Sequence, residues 1–294
     1  ALAEQAYTMR GWCRYLMGDG PGALEIFEAF IGKYPKSEWT PDVMFWIGEF
    51  HYNQGEYSDA ERRFQTLAEQ HPKSPLADSA LYWAGRSAFM LKESRRANEY
   101  FVKLMKQYPA SPKRPEARYA QGEALCALGE FAGAILIYEE LIKEFPGNAI
   151  ENAAWLRKGD SQFTLGAENP KRYEEAMVSY QTVMDQPDAP KVLREEAEYK
   201  VGRCLEKLNR LDQAFERYMN VVYDFAQGAT PVTRDAELWF TRAAFNAAEL
   251  KEGEKSWKKA VNIYQRVVDA RVPAGLDAAE RIRKMRLDHW LFFY

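Results

Sequence analysis

The chain has 294 residues, and its 40 Lys and Arg against 43 Asp and Glu give a formal net charge of −3. Basic and acidic residues are interspersed, and this excludes the basic stripe on which nucleic-acid binding usually depends. The 3 cysteines are scattered without a CxxC pair, so we expect neither a disulfide framework nor a structural zinc site. No apolar run is long enough for a transmembrane helix, so we expect no direct membrane span.

The chain begins at Ala1, inside a repeat, and shows no signal peptide or lipidation motif. We therefore expect a mature form or a piece of a longer protein.

A glycine recurs every 37 residues, at Gly11, Gly48, Gly85, Gly122 and Gly159. After each of the first four glycines follow an alanine at +12, an aromatic residue at +16 and a proline at +24. A fixed period of this size predicts stacked supersecondary units rather than one closed core.

Residues 41–72 show why each unit is predicted to be a helical hairpin. Apolar residues over 43–51 recur at three-and-four spacing, which indicates a first amphipathic helix, called helix A below. Gly55 is suited to a left-handed C-terminal position. A second amphipathic helix (helix B) follows over 57–67, and Pro72 stops it.

Three Ser-Pro or Thr-Pro pairs lie between units, and they predict a hydroxyl N-cap followed by proline in the first turn of the next helix. They are Thr40-Pro41, Ser74-Pro75 and Ser111-Pro112.

The recurring glycine has a steric explanation. Glycine inside a helix costs about 1 kcal/mol relative to alanine, so helix propensity does not explain its position. We expect close approach of helix A to helix B, with the +12 alanine as the small partner. The +16 aromatic residues are expected to fill the space between neighbouring hairpins.

The glycine, alanine, aromatic and proline spacing resembles the tetratricopeptide repeat, and segments 45–60 and 80–85 match it closely. The resemblance implies an all-α fold, a right-handed α-solenoid of about seven hairpins plus a C-terminal helix, with residues 1–294 as a single array. It also implies a protein-binding scaffold rather than an enzyme. The period exceeds the family's usual 34 by three residues, and we assign these extra residues to the Pro-x-Ser segments 35–37, 72–74 and 109–111.

This Pro-x-Ser variant is similar to repeats of bacterial cell-envelope proteins, such as the periplasmic partner of the Tol-Pal system and the lipoprotein of the outer-membrane assembly machine. The resemblance implies a location in the periplasm or at the outer-membrane periphery, with the cytoplasm as the alternative.

The repeats are regular over 1–146 and irregular over 147–273. In repeats five and seven, five residues are inserted at the A-to-B turn, around 168–172 and 251–255, and we expect a longer loop there. A contact loop for a partner is the alternative. A terminal helix is expected over 275–294. Its apolar end is expected either to cover repeat seven or to make an end-on contact through Trp290, Phe292 and Phe293.

In the tetratricopeptide architecture, helix A lines a concave groove. Residues three before, one after and four after the glycine are therefore expected to face a bound protein or peptide. In this chain the predicted groove residues are Phe45, Glu49, Tyr52, Tyr82, Arg86, Phe89, Tyr119, Glu123, Tyr199 and Arg203. Packing of the rings on the adjacent A helix is the alternative. These positions lack the Lys–Asn pair with which related domains bind a chaperone's C-terminal carboxylate.

No catalytic constellation is apparent, and we expect no cofactor and no metal site. His51, His71 and His289 have no obvious partners, and the common nucleophile and phosphate-loop motifs are absent. Besides groove binding, two hypotheses remain open: a structural subunit that uses its ends and convex face, and a carbohydrate-binding solenoid.

Overall fold

The computed structural model describes residues 2–227 and 233–293, and this part of the chain consists of α-helices with no strand. A short 3₁₀ turn, Trp290–Phe292, follows the last helix. The α-helices are α1 Leu2–Leu16, α2 Gly20–Lys33, α3 Thr40–Asn53, α4 Tyr57–Gln70, α5 Ala77–Met90, α6 Ser94–Gln107, α7 Arg114–Ala127, α8 Phe131–Glu144, α9 Glu151–Leu165, α10 Lys171–Asp185, α11 Lys191–Lys207, α12 Leu211–Gln227, α13 Arg234–Gly253, α14 Trp257–Asp269 and α15 Gly275–Asp288. The all-α prediction is confirmed.

The chain divides into two compact units, Ala1–Ile150 and Glu151–Tyr294. The first contains α1–α8 and the second α9–α15. In each unit, odd-numbered helices up to α13 are the predicted A helices and even-numbered ones the B helices. Each A helix packs against the B helix that follows it.

The recurring glycine is a point of close approach, as predicted, but its partner is not the alanine. A Cβ added at Gly85 would lie 2.6 Å from Cε1 of the Phe101 ring, which is the +16 aromatic of the same repeat. The other glycines meet the corresponding ring in the same way: Gly11 with Phe27, Gly48 with Phe64, Gly122 with Tyr138, Gly159 with Tyr180 and Gly202 with Tyr218. The rings therefore lie inside each hairpin, and the expectation that they fill the space between hairpins was wrong.

The turn between helix A and helix B uses a left-handed residue. Gly55 has φ +79°, as predicted for a C-terminal glycine. The equivalent turns of repeats three and six place Lys92 and Asn209 at φ 65° and 57°. The turn geometry is therefore kept where the sequence has no glycine.

The predicted hydroxyl N-caps are absent from these helices. Ser74 and Ser111 lie before the helix starts, and each hydroxyl accepts the backbone N–H two residues later, at 3.2 and 3.0 Å. Thr40 is itself the first residue of α3, and its hydroxyl donates to the Tyr34 carbonyl at 2.7 Å. The Ser-Pro signal thus marks a turn that precedes the helix.

The Pro-x-Ser segment also connects successive repeats. The Ser37 hydroxyl lies 2.7 Å from Glu4 Oε2, and the Ser111 hydroxyl lies 2.6 Å from Asp78 Oδ2. Both acids lie in the first turn of the preceding A helix. The three extra residues therefore provide side-chain hydrogen bonds between neighbouring repeats.

The two insertions differ in structure. In repeat five, residues 166–170 form a longer loop between α9 and α10, as expected. In repeat seven, the inserted residues extend α13 to 20 residues, ending at Gly253. The expectation of a loop over 251–255 was therefore wrong, since most of this segment is helical.

The terminal helix is shorter than expected. α15 ends at Asp288 and buries Ala278, Ile282 and Met285, and it packs against α14. His289 follows α15 and stacks on Trp257, with ring centroids 3.7 Å apart. Tyr294, the last residue of the expected helix, lies outside the described residues.

Candidate functional site

The structure connects predicted groove residues of three successive A helices in the first unit. Arg86 of α5 donates from Nη1 to Glu123 Oε2 of α7 at 3.2 Å. The Tyr52 side chain of α3 also lies close to Arg86. We call the surface that these residues form with their neighbours the A-helix face. It comprises Phe45, Glu49, Tyr52, Tyr82, Arg86, Phe89, Tyr119 and Glu123.

Rings on the A-helix face are half-buried. Phe45, Tyr82 and Tyr119 each pack against the ring that covers the glycine of their own repeat. The centroid distances are 5.3 Å to Phe64, 6.2 Å to Phe101 and 5.9 Å to Tyr138. One side of each ring thus belongs to the hairpin core, which holds the ring in place, and part of the ring remains accessible.

Tyr52 is the ring that packs on the adjacent A helix. Its centroid lies 4.9 Å from that of Trp83 on α5. The alternative that the rings pack on the adjacent A helix therefore holds for Tyr52. Phe45, Tyr82 and Tyr119 pack within their own hairpins.

The charged groups of the A-helix face are partly desolvated. Burial raises the pKa of the Glu49 carboxyl above its usual value. Burial also raises the pKa of the Tyr82 phenol, so this hydroxyl stays a hydrogen-bond donor at neutral pH. Arg86 is close to the Phe89 ring, with Cζ 6.0 Å from the ring centroid. The A-helix face therefore offers aromatic surface, positively charged and neutral hydrogen-bond donors, and negatively charged acceptors.

The two predicted groove residues of the second unit lie in a different environment. Tyr199 is 6% exposed, and its ring packs between Tyr218 and Trp239, with centroids 5.7 and 5.5 Å away. Its hydroxyl accepts from Arg203 Nη1 at 3.3 Å. Tyr199 is thus a core residue that orients Arg203, and its burial prevents contact with a ligand.

A polar cluster in the second unit was not predicted. Lys200 Nζ lies 2.7 Å from Asp160 Oδ1 and 2.5 Å from Glu196 Oε1. Tyr180, the ring that covers Gly159, donates to Asp160 Oδ1 at 2.9 Å. The signal for part of this cluster was the spacing of Glu196 and Lys200, one helical turn apart. These ion pairs are internal to the repeat stack, and they connect α9, α10 and α11.

Two of the three histidines have partners that the sequence did not reveal. His289 stacks on Trp257, as described above. His51 Nδ1 lies 2.6 Å from Glu56 Oε2, and Asp59 lies close enough to complete a group of possible metal-ligand atoms. Asp59 already pairs with Arg62 at 2.5 Å. Contacts between neighbouring side chains thus account for the positions of these groups.

The residues of the predicted end-on contact differ in exposure. Trp290 and Phe292 are 57% and 56% exposed, whereas Phe293 packs against the core of the second unit. Leu291 between them is also exposed. The described helices include none with both the length and the apolar character that a membrane span requires.

The fold and the ring-on-glycine contacts define a helical repeat protein of stacked hairpins. Two family models, both described as tetratricopeptide repeat, match residues 47–112, 91–149, 5–37 and 196–227. Together these matches cover more than half of the chain. The chain belongs to the tetratricopeptide repeat proteins.

Solved structures of other repeat proteins share the fold. A tetratricopeptide repeat protein from Parabacteroides merdae is 12% identical, with TM-score 0.58 and coverage of 97% of this chain and 99% of that one. The C-terminal part of a TPR repeat-containing protein from Cytophaga hutchinsonii is 13% identical, with TM-score 0.67 and coverage of 92% and 98%. The apo form of the quorum sensor NprR from B. thuringiensis is 14% identical, with TM-score 0.59 and coverage of 97% and 81%.

At these identities the likeness concerns the fold alone. A comparison with curated proteins found no significant match.

Proposed function

We propose that the protein is a non-catalytic scaffold that binds a peptide or protein segment on the A-helix face of its first unit. The tetratricopeptide fold supports a protein–protein interaction scaffold. The observation that carries the finer proposal is the Arg86–Glu123 ion pair, which joins α5 and α7 beside the half-buried Tyr82 and Phe89. The Tyr52–Trp83 ring contact joins α3 to α5. Side chains held by such contacts lose little further conformational freedom when a ligand binds.

The chemistry of the A-helix face favours a peptide with apolar anchors and a few ionic groups. Aromatic side chains provide rigid contact area, and tyrosine and arginine are enriched among residues that dominate binding. Covering one such ring fully contributes about 1.5–3 kcal/mol. Two or three partly exposed rings would therefore give an affinity in the micromolar range after the costs of association.

Paired substitutions test this proposal. Partners captured on the immobilised chain from native lysate are identified by mass spectrometry, and their capture is compared between variants. We expect Tyr82→Ala with Tyr119→Ala to abolish capture while far-UV circular dichroism stays unchanged. The control is Tyr34→Ala with Tyr108→Ala, because these half-buried tyrosines precede the helix-stopping prolines and lie off the A-helix face. Equal capture by wild type and the Tyr82–Tyr119 variant would refute groove binding.

We also propose that the protein is located in a bacterial cell envelope. The support is the resemblance of the Pro-x-Ser segments 35–37, 72–74 and 109–111 to repeats of bacterial cell-envelope proteins. Fractionation of the native cells, followed by immunodetection, tests it. Recovery in the periplasmic or outer-membrane fraction agrees with the proposal, and recovery in the cytoplasmic fraction contradicts it.

A second candidate function, a structural subunit that assembles through its end, is favoured by the exposure of Trp290, Leu291 and Phe292. Three adjacent exposed apolar side chains suit an interface better than solvent. Removal of residues 288–294 should then lower the molecular mass measured by light scattering. A monomer before and after removal would count against end-on assembly.

A further inference from the structure

The groove between the B helices α10 and α12 differs from the equivalent place in the first unit. It has a volume of about 620 Å³, within the usual range of ligand-binding clefts. Its floor is Val201 and Leu205 of α11, which are almost fully buried. Met177 and Val178 form one wall, and Val178 is 66% exposed. We call this site the α10–α12 groove.

In repeats two and three, the equivalent position between the two B helices is filled by the protein's own side chains. Between α4 and α6, Tyr100 is 8% exposed. Its hydroxyl lies 2.9 Å from Gln65 Oε1 and 3.1 Å from Glu61 Oε1. Arg96 Nε lies 2.7 Å from the same Glu61 oxygen. A tyrosine ring and an ion pair thus cover the junction of these two B helices.

The repeat register places equivalent residues in the α10–α12 groove. Counted from the fully buried alanine of each B helix, Glu61, Gln65, Arg96 and Tyr100 correspond to Met177, Gln181, Gln213 and Arg217. Arg217 replaces the tyrosine and is directed to Glu198, with Nη1 3.3 Å from both carboxylate oxygens. The ring of the first unit is therefore absent from this groove. Its ion pair is also absent, and a different one, between Arg210 Nη2 and Glu174 Oε1 at 2.9 Å, lies at the edge of the groove.

The α10–α12 groove also has a glutamine at the position that accepts the hydrogen bond of the tyrosine hydroxyl in the first unit. Gln65 Nε2 donates to Glu69 at 2.9 Å, and this leaves Oε1 for the hydroxyl of Tyr100. Gln181 Nε2 donates to Asp185 at 2.8 Å in the same way. Within the described residues, Gln181 Oε1 has no hydrogen-bond donor, so the acceptor is in place without its hydroxyl.

We propose that the α10–α12 groove binds a tyrosine side chain of a partner protein. The ring would take the position that Tyr100 occupies in the first unit, over Val201 and Leu205 and beside Met177, whose sulfur packs favourably against aromatic rings. The hydroxyl would donate to Gln181 Oε1. This site is formed by α10, α11 and α12 of the second unit and shares no residue with the A-helix face.

Titration with amino-acid amides tests the proposal on the full chain. The probes are N-acetyl-tyrosinamide, its phenylalanine analogue and its leucine analogue, and the readout is the methyl NMR signals of Val201 and Leu205. We expect saturable shifts with the tyrosine probe. Loss of the single hydroxyl hydrogen bond should make the phenylalanine probe about five-fold weaker, and the leucine probe should bind more weakly still. No saturable shift, or equal affinity for all three probes, would overturn the proposal.

Two variants provide matched controls. Val178→Asp places a charge at the wall of the groove and should abolish the shifts. Leu136→Asp makes the same change at the equivalent position of repeat four, where Leu136 is 60% exposed, and should leave them intact. The triple variant Met177→Glu, Gln213→Arg and Arg217→Tyr installs the residues of repeats two and three and should also abolish binding. Unchanged binding in Val178→Asp would contradict the assignment.

Discussion

Substituting Gly85 by alanine tests the contact that repeats through the array. A Cβ at this position would lie 2.6, 2.8 and 3.0 Å from three atoms of the Phe101 ring. That ring is fully buried, so it has little room to move. At Gly133 the added Cβ would be 3.6 Å from Leu125 Cδ1, which is an ordinary contact. The two glycines are both helical, and they differ in the space beside them.

The expected effects have opposite signs. Replacing a helical glycine by alanine stabilises by up to about 1 kcal/mol, and we expect a gain of this kind for Gly133→Ala. Overpacking a core costs about 1–3 kcal/mol. Because the added Cβ makes three short contacts with the ring, we expect the overpacking cost of Gly85→Ala to lie near the upper end of this range. The net loss for Gly85→Ala is therefore about 1–2 kcal/mol. Gly85→Leu should destabilise the protein much more than Gly85→Ala or Gly55→Ala.

The free energy of unfolding is measured by urea titration with circular dichroism. The double variant Gly85→Ala with Phe101→Leu provides an internal check, since the smaller side chain relieves the clash. Phe101→Leu should then cost less in the alanine background than in wild type, by about 1 kcal/mol. Equal changes for Gly85→Ala and Gly133→Ala, with no coupling to Phe101, would refute the close-approach explanation.

Three further predictions concern titration and hydrogen bonding. Burial raises the pKa of Cys204 to about 12, while the thiol of the unfolded chain ionises near pH 8.5. The unfolded state therefore loses its proton first, so stability should fall as pH rises from about 8.5 toward 12, and Cys204→Ser should reduce this fall in urea titrations. A double-mutant cycle with Arg86→Met and Glu123→Gln should give a coupling of about 1 kcal/mol; zero coupling would show that the pair contributes nothing to stability. Ser111→Ala removes the hydrogen bond to Asp78 and should cost about 1–2 kcal/mol in thermal unfolding, and an unchanged midpoint would contradict this role.

Much of the fold follows from the sequence because the repeat fixes the register. The glycine predicted close approach, and Gly55 predicted the left-handed turn. Which side chain meets the glycine depends on how far helix B is rotated about its axis, and the spacing of the residues does not reveal this. The alanine and the aromatic residue lie one turn apart on the same stripe, so either could have been the partner.

The errors at the insertions and caps also have physical reasons. Residues 251–253 contain good helix formers and follow a helix, so extension of α13 costs little. Ser74 and Ser111 can accept a backbone N–H either in a helix cap or in a tight turn. The local sequence is compatible with both, and the start of the next helix decides between them.

The candidate site was predictable by position but not by contact. The register placed Tyr52, Arg86 and Glu123 on successive A helices. Their connection depends on the offset between repeats and on the Arg86 rotamer, and neither can be derived from a single sequence. Tyr199 occupies the position equivalent to Tyr82 and Tyr119, but Trp239 of the next A helix covers it. The irregular spacing of repeats five to seven made this burial difficult to predict.

Site-specific photo-crosslinking in the native cells tests binding on the A-helix face most directly. A benzoylphenylalanine placed at Glu49, which is exposed on this face, is compared with one at Arg62, whose side chain is 75% exposed on the B helix of the same hairpin. We predict that a partner protein crosslinks from position 49 and not from position 62. Crosslinking from position 62 alone would contradict the proposal.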